Sequence, residues 1–284
     1  MKNFLALDLG GSAIKHGLYN EKGESKSEAG ETPINVSSVE GILGQIDEIK
    51  SKYSQVDGIG ISMPGLVDKK TGLITHGGAI QILDKVDLRG ILQDKYKVDV
   101  TIENDANCAA LAEYWLGNGK GYETIVCMTI GTGIGGGLII NGKLHHGSHS
   151  FSGEFGTMVM DLEPKPEMKY FGYASTGSLI KRAGETDENI KNGRDFFANL
   201  ENPSIKALYD EWIKVLATGI YNIAVALDPC KILIGGGISS QHIIYEDIKR
   251  VIDDIMYYPY QWTVEPCHFR NEAGKIGAIY KLVH

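Results

Sequence analysis

The chain of 284 residues, 43% hydrophobic and 23% charged, has an ordinary globular composition and enough length for two lobes of domain size. A net charge of -8 without any cluster of Lys and Arg argues against a nucleic-acid binder, whose affinity rests on phosphate neutralisation. There is no membrane-length apolar run and no signal-peptide core after Met1, and Cys108, Cys127, Cys230 and Cys267 lack CxxC spacing, so a cytoplasmic protein with reduced, buried thiols is expected.

Phe4-Leu5-Ala6-Leu7-Asp8-Leu9 predicts a buried strand, Gly10-Gly11-Ser12 a tight turn, and Ala13 to Tyr19 a returning strand before the hairpin turn Asn20-Glu21-Lys22-Gly23. Val39, Ile42, Ile46 and Ile49 recur at helical spacing between Ser38 and Tyr53. Val56 to Met63 is strand-like and stops at the turn signal Pro64-Gly65. Val100 to Glu103 reads as a short strand, and Asp105 to Leu116, rich in alanine, as a helix. From Glu123 the order repeats: strand Thr124 to Ile130, glycine turn, strand Leu138 to Ile140, hairpin Asn141-Gly142-Lys143. A helix over Tyr209 to Leu227, a strand over Lys231 to Ile234 ending in Gly235-Gly236-Gly237, and a terminal helix over Ile276 to Leu282 complete the chain. The repetition predicts two similar α/β lobes with a cleft between them. Residues 1–116, joined by the terminal helix at about 273–284, form one, and residues 117–272 the other, with the boundary at Gly117-Asn118-Gly119.

The 36 glycines are clustered, which points to turns and phosphate loops rather than fibrous chain. Gly131, Gly133 and Gly136 satisfy GxGxxG, but the dinucleotide fingerprint needs a helix after the loop, and here Leu138-Ile139-Ile140 reads as a strand. A glycine turn between strands can still point successive N–H groups at an anion. On this reading Gly10, Gly11 and Ser12 form one phosphate turn and Gly131, Thr132, Gly133 and Gly135 the other, with hydroxyls from Ser12 and Thr132. Asp8 before the first turn suits a water-mediated contact to Mg²⁺ beside a triphosphate; its plainer role is to start the turn.

Asp8-Leu9-Gly10-Gly11-Ser12-Ala13-Ile14-Lys15 resembles the first phosphate motif of ROK kinases, in the actin, hexokinase and Hsp70 superfamily. Gly60 to Asp68, Glu103-Asn104-Asp105-Ala106-Asn107, Thr129 to Gly137, Gly153-Glu154-Phe155-Gly156 and Asp228-Pro229 to Gly237 are similar, in order, to that family's later motifs. The resemblance implies two ribonuclease H-like lobes of the actin-like ATPase fold, ATP and Mg²⁺ as cofactors, a homodimer, and transfer of a phosphoryl group to a sugar hydroxyl. It implies nucleotide binding by Asp8, Gly10, Gly11, Ser12, Lys15, Gly131, Thr132, Gly133, Gly135, Gly236 and Gly237, sugar binding by Asn104, Asp105 and Glu154, and Asp105 as catalytic base. From the residues alone, Asn104 and Asp105 serve equally as a helix N-cap or as a sugar-binding and proton-accepting pair.

One departure bears on the acceptor. Many ROK proteins carry a His after Glu-x-Gly and then a Cys-rich zinc motif; here Thr157 follows Gly156, and Lys169 to Gly177 contains no cysteine. No zinc site is expected, since structural zinc needs about four Cys or His ligands, and His145, His146 and His149 read as loop or surface residues. Without the zinc-supported wall the anomeric side of the pocket is open to a substituent. A β-glucoside kinase acting on a sugar such as cellobiose, at the 6-hydroxyl, is the leading expectation; N-acetylmannosamine kinase and glucokinase are the enzymatic alternatives. A ROK transcriptional regulator would need a DNA-binding domain ahead of Phe4, and a non-catalytic sugar-binding protein would not need Asp105 with both glycine turns.

Overall fold

The structure, a computed structural model, describes residues 2–161 and 170–284. Lys169, the first residue of the cysteine-free stretch, lies outside them. The chain groups into two compact units, residues 1–116 with 144–152 and 271–284, and residues 117–143 with 153–270. Residues 144–152 and 271–272, which the sequence reading leaves with the second lobe, group with the first unit.

In the first unit β1 (Asn3–Leu9) is an apolar run buried from Phe4 to Leu7, as a strand central to a covered sheet requires. It pairs antiparallel with β2 (Ala13–Asn20), which in turn pairs with β3 (Gly30–Pro33). Helix α1 (Val39–Ser51) starts where Ser38 Oγ accepts from the Gly41 N–H, and its Ile42, Ile46 and Ile49 join Leu5, Leu7 and Leu9 in the core. β4 (Gly58–Met63) pairs parallel to β1, the small hairpin β5 (Leu66–Val67) and β6 (Ile74–His76) follows, and α2 (Leu88–Tyr96) leads into β7 (Asp99–Asn104), parallel to β4. Helix α3 (Asp105–Leu116) packs against the C-terminal helix Ala273–Val283, which also covers β1, β4 and β7. The sheet order is β3-β2-β1-β4-β7.

The second unit repeats this plan. β8 (Ile125–Ile130) is the central strand, paired antiparallel with β9 (Ile134–Ile140), beyond which lies β10 (Lys143–Leu144). Helices α4 (Thr176–Thr186), α5 (Gly193–Ala198) and α6 (Pro203–Leu227) come next, then β11 (Lys231–Gly235), α7 (Ile243–Ile255) and β12 (Thr263–Pro266). The order β10-β9-β8-β11-β12 matches the first sheet strand for strand. Each unit is therefore an α/β, ribonuclease H-like lobe, the duplicated architecture expected from the sequence.

The largest shifts from the expected element starts are at β9 and α6. β9 starts at Ile134 rather than Leu138, because Gly135, Gly136 and Gly137 pair with Thr129, Met128 and Cys127 of β8. α6 starts at Pro203 rather than Tyr209: Asn202 Oδ1 accepts from the Ser204 N–H, and proline is favoured in the first helical turn. Cys230 is exposed just before β11, against the expectation of a buried thiol; Cys108, Cys127 and Cys267 are buried, with the Sγ atoms of Cys127 and Cys267 3.5 Å apart. Among the described residues no helix is long and apolar enough to cross a membrane.

The second core is organised by α6, whose Tyr209, Trp212, Leu216 and Ile220 are fully buried. Trp212 also donates from Nε1 to the Ala174 carbonyl at 2.8 Å. A Trp212→Ala substitution is expected to destabilise the protein by about 3–5 kcal/mol, through lost burial and an unpaired carbonyl. Urea denaturation checks this; a loss below about 1 kcal/mol would mean that the site collapses around the cavity.

Candidate active site

Asp8 lies one residue before the end of β1, in register with Lys15 on β2 and Ser62 on β4. Ser62 Oγ donates to Asp8 Oδ1 at 2.8 Å. The first turn of the C-terminal helix closes on the same carboxylate, and a Cβ at Gly274 would lie 2.7 Å from Oδ1, so glycine is required there. Burial pushes the Asp8 carboxyl above its ordinary range, opposed by the Ser62 hydrogen bond and by the charges of Lys15 and Lys275. Lys275 is itself buried and paired with Glu272 at 3.0 Å, and Glu272 also accepts from the Tyr19 hydroxyl at 2.8 Å. The adjoining turn is closed by the Gly10 N–H donating to the Ala13 carbonyl at 2.9 Å, and leaves Gly11 and Ser12 exposed. A carboxylate with one oxygen held by serine, beside a turn with open backbone amides, fits a hydrated Mg²⁺, which keeps most of its waters and takes one or two carboxylates alongside phosphates.

The β7–α3 junction carries the candidate base. Asn104 Oδ1 accepts from the N–H groups of Ala106 at 2.9 Å and Asn107 at 3.1 Å, while its Nδ2 donates to the Gly65 carbonyl at 2.8 Å. Asn104 thus caps α3 and ties it to the Pro64-Gly65 turn. One Nδ2 hydrogen remains for a ligand. Asp105 is exposed at the first position of α3, with Oδ1 accepting from the Ala106 N–H at 2.8 Å. Of the two roles left open by the sequence, the cap is carried by Asn104.

Glu103, the first residue of the same motif, was given no role from the sequence, yet it is the most heavily bonded carboxylate of the junction. Its Oε1 accepts from the Asn104 N–H and from Asn107 Nδ2, both at 3.0 Å. Its Oε2 is 2.8 Å from His146 Nε2 and accepts from Lys281 Nζ at 2.9 Å. Burial raises the Glu103 pKa, but the His146 hydrogen bond and the Lys281 charge outweigh it and bring the value down to about 2. His146 is consequently not a surface residue, unlike the exposed His145 and His149, because its ring is drawn onto a buried carboxylate. No sequence spacing could have signalled this set, whose members stand at 103, 146 and 281.

In the second unit the glycine turn is shorter than expected. The Gly131 N–H donates to the Gly133 carbonyl at 2.9 Å, so residues 131–133 form the turn. Gly135, assigned to the loop from sequence, is instead a residue of β9 opposite Thr129. Thr132 and Gly133 are exposed. The start of α4 rests on the turn, with the Gly177 N–H donating to the Gly131 carbonyl at 3.0 Å. Turn amides and a helix N-terminus together make a place for phosphate. Thr176 connects that place to a cavity of about 510 Å³ whose walls include Asn192, Arg194, Phe197, Gly237 and Gln241. Gly236 and Gly237 are exposed just beyond β11. Of the residues lining this cavity only Gly237 was given a role from the sequence; Asn192, Arg194 and Gln241 lie in stretches with no motif, and Thr176 stands in the cysteine-free stretch.

Glu154 is half-buried ahead of a short turn, Phe155–Thr157, and burial alone pushes its carboxyl upward. Gly153, at φ 94, packs its α-carbon against the Gly136 carbonyl, where a Cβ would lie 2.1 Å away, so the glutamate is anchored to β9. Thr157, standing where many ROK proteins have histidine, donates to the Glu154 carbonyl at 2.7 Å. Among the described residues no group of three or more His, Cys, Asp and Glu side chains could hold a metal ion.

The chain belongs to the ROK family, whose model matches residues 4–284. It is similar to a β-glucoside kinase of Listeria innocua, 36% identical over 98% of this chain and 96% of the relative. A β-glucoside kinase of Klebsiella pneumoniae is 30% identical over 97% and 94%. Among solved structures it is similar to a Listeria monocytogenes protein provisionally assigned as an N-acetylmannosamine kinase (TM-score 0.90, 34% identity, 98% and 97% covered). A Streptococcus pneumoniae ROK protein in complex with sucrose has a TM-score of 0.88 at 29% identity, with 98% and 97% covered.

Because the folded pKa of Glu103 lies below its ordinary 4.5, its contribution to stability is complete above that value and is lost as pH falls from 4.5 towards 2. The span corresponds to on the order of 3 kcal/mol. Urea midpoints measured between neutral pH and about pH 3 should fall steeply in the wild type and less so in Glu103→Gln. Parallel profiles would mean that other carboxylates govern acid unfolding.

Proposed function

We propose that the protein is an ATP-dependent kinase of β-glucosides, transferring the ATP γ-phosphoryl group to a sugar hydroxyl, the 6-OH, with Asp105 as general base. The observation that carries the assignment is the division of labour at α3: Asn104 takes the cap, and Asp105 presents an exposed carboxylate at the same helix start. Phosphoryl transfer asks little covalent chemistry of a protein beyond such a carboxylate, aligned donors, and groups that spread charge over the phosphoryl oxygens. Asp105 takes the hydroxyl proton as the sugar oxygen bonds to the γ-phosphorus and the bond to ADP breaks. Asn104, through its remaining amide hydrogen, and Glu154 orient the sugar. The turn at 131–133 and the start of α4 hold the phosphates, and the cavity beside Arg194 and Gly237 holds the nucleoside. Asp8 would hold hydrated Mg²⁺, with Gly10, Gly11, Ser12 and Lys15 beside the phosphates. When bound, that ion neutralises phosphoryl charge. A kinase drawing on this nucleotide belongs in the cytoplasm.

The choice of a glycoside rests on Thr157. Its hydroxyl is turned back onto the Glu154 carbonyl, so it contributes no metal-ligating wall to the acceptor side. Two relatives named as β-glucoside kinases and a relative solved with a disaccharide agree with an acceptor larger than glucose.

A coupled ADP-release assay over cellobiose, gentiobiose, glucose, N-acetylmannosamine and N-acetylglucosamine tests the acceptor. The disaccharides should give the highest kcat/KM; turnover of glucose without cellobiose would sink the glycoside assignment. Asp105→Ala should retain sugar binding by calorimetry and lose about 10²–10⁴-fold in kcat. Near-normal turnover in that variant would remove Asp105 from its role.

A further inference from the structure

We infer that Glu103 is a positioning residue for the phosphoryl transfer, orienting Asp105 through the start of α3 without touching the substrate. The inference rests on the assignment of Asp105 as base. One oxygen of Glu103 is spent on the junction itself: it accepts from the N–H of Asn104, the residue before Asp105, and from the side chain of Asn107 in the first turn of α3. Asn107 is turned so fully towards Glu103 that its own Oδ1 is buried without a hydrogen-bond partner. The other oxygen binds Lys281 of the C-terminal helix and His146 of the 144–152 loop. The strand end, the helix start, the loop and the C-terminal helix are thus referred to a single carboxylate.

Compared with an apolar replacement, a buried ion pair contributes little net stability. What this one supplies is geometry at the residue next to the base. A displacement of a reacting group by about 1 Å costs on the order of 10²-fold in rate. The charged and titratable groups around Glu103 are few: Lys281, His146, Asp105 and the buried Cys108 thiol, with Asp68, Lys69 and Arg89 across a small cavity of about 210 Å³ that Glu103 and Lys281 also line. Of these, only Lys281 and His146 bond to its carboxylate.

The test uses the full chain and the sugar found to be turned over best. Glu103→Gln keeps the shape and removes the charge; kcat should fall about 10- to 100-fold while the sugar Kd by calorimetry and the KM for ATP change less than about twofold. Lys281→Arg should keep most of kcat. Lys281→Met removes one of the two side chains bonded to Glu103 Oε2, so its kcat should fall about 10-fold while the sugar Kd changes less than about twofold. Wild-type kcat in Glu103→Gln, with only a lower urea midpoint, would overturn the inference and leave a structural role. Should that variant fail to fold, wild-type kcat in Lys281→Met overturns it instead. Asp105→Ala in the same assay separates the two proposals. Retained turnover there defeats the base assignment, whereas its loss beside a normal Glu103→Gln defeats only the positioning role.

Discussion

Where β7 passes into α3, the Glu103 carboxylate is both buried and ionised. A charge removed from water is tolerated only when opposite charge and hydrogen-bond donors surround it, and this requirement organises the first unit. It calls Lys281 from the far end of the chain and His146 from the 144–152 loop, a segment that otherwise continues β10. The same loop offers its Gly147 carbonyl to Lys69. Residues 144–152 group with the first unit for this reason, although the chain on both sides of them belongs to the second. The start of α3 is held on three sides, and Asn104 and Asp105 are presented from a rigid support rather than from a free loop.

The two units share a sheet order and a glycine turn after the central strand, yet the residues flanking the two turns differ. The first turn stands beside Asp8, a carboxylate suited to a hydrated cation, with Ser62 and the first turn of the C-terminal helix fitted around it. The second turn has no acid in the matching place. Position 129 is threonine, and the start of α4 leans on the turn, so partial positive charge from a helix end stands where the first unit has a carboxylate. Duplication supplied two similar scaffolds, and the residues flanking each turn give it a different electrostatic character, a carboxylate at the first and a helix N-terminus at the second.

The acceptor side shows how a single departure propagates. With threonine at 157, the turn after Glu154 is closed by its own side chain to a backbone carbonyl. Glu154 is then located by Gly153 and Phe155, which pack on Gly136 of β9. The strand that follows the second glycine turn therefore also anchors Glu154.

By itself the sequence determined the α/β class, the duplication, the position of α3 and the candidates Asp8, Asn104, Asp105 and Glu154. These follow from local signals: apolar runs, glycine turns, a capping residue and ordered motifs. It placed Gly135 in a loop because glycine reads as a turn former, whereas pairing with Thr129 makes it strand. It treated Asn104 and Asp105 alike, because both residue types cap helices, and only the hydrogen bonds at 2.9 and 3.1 Å from the helix N–H groups assign that task to Asn104. The Glu103–His146–Lys281 cluster and the cavity beside Arg194 belong to the tertiary structure alone. Buried charge pairs and cavity walls are set by proximity in space, and residues separated by up to 178 positions leave no periodicity or spacing to read.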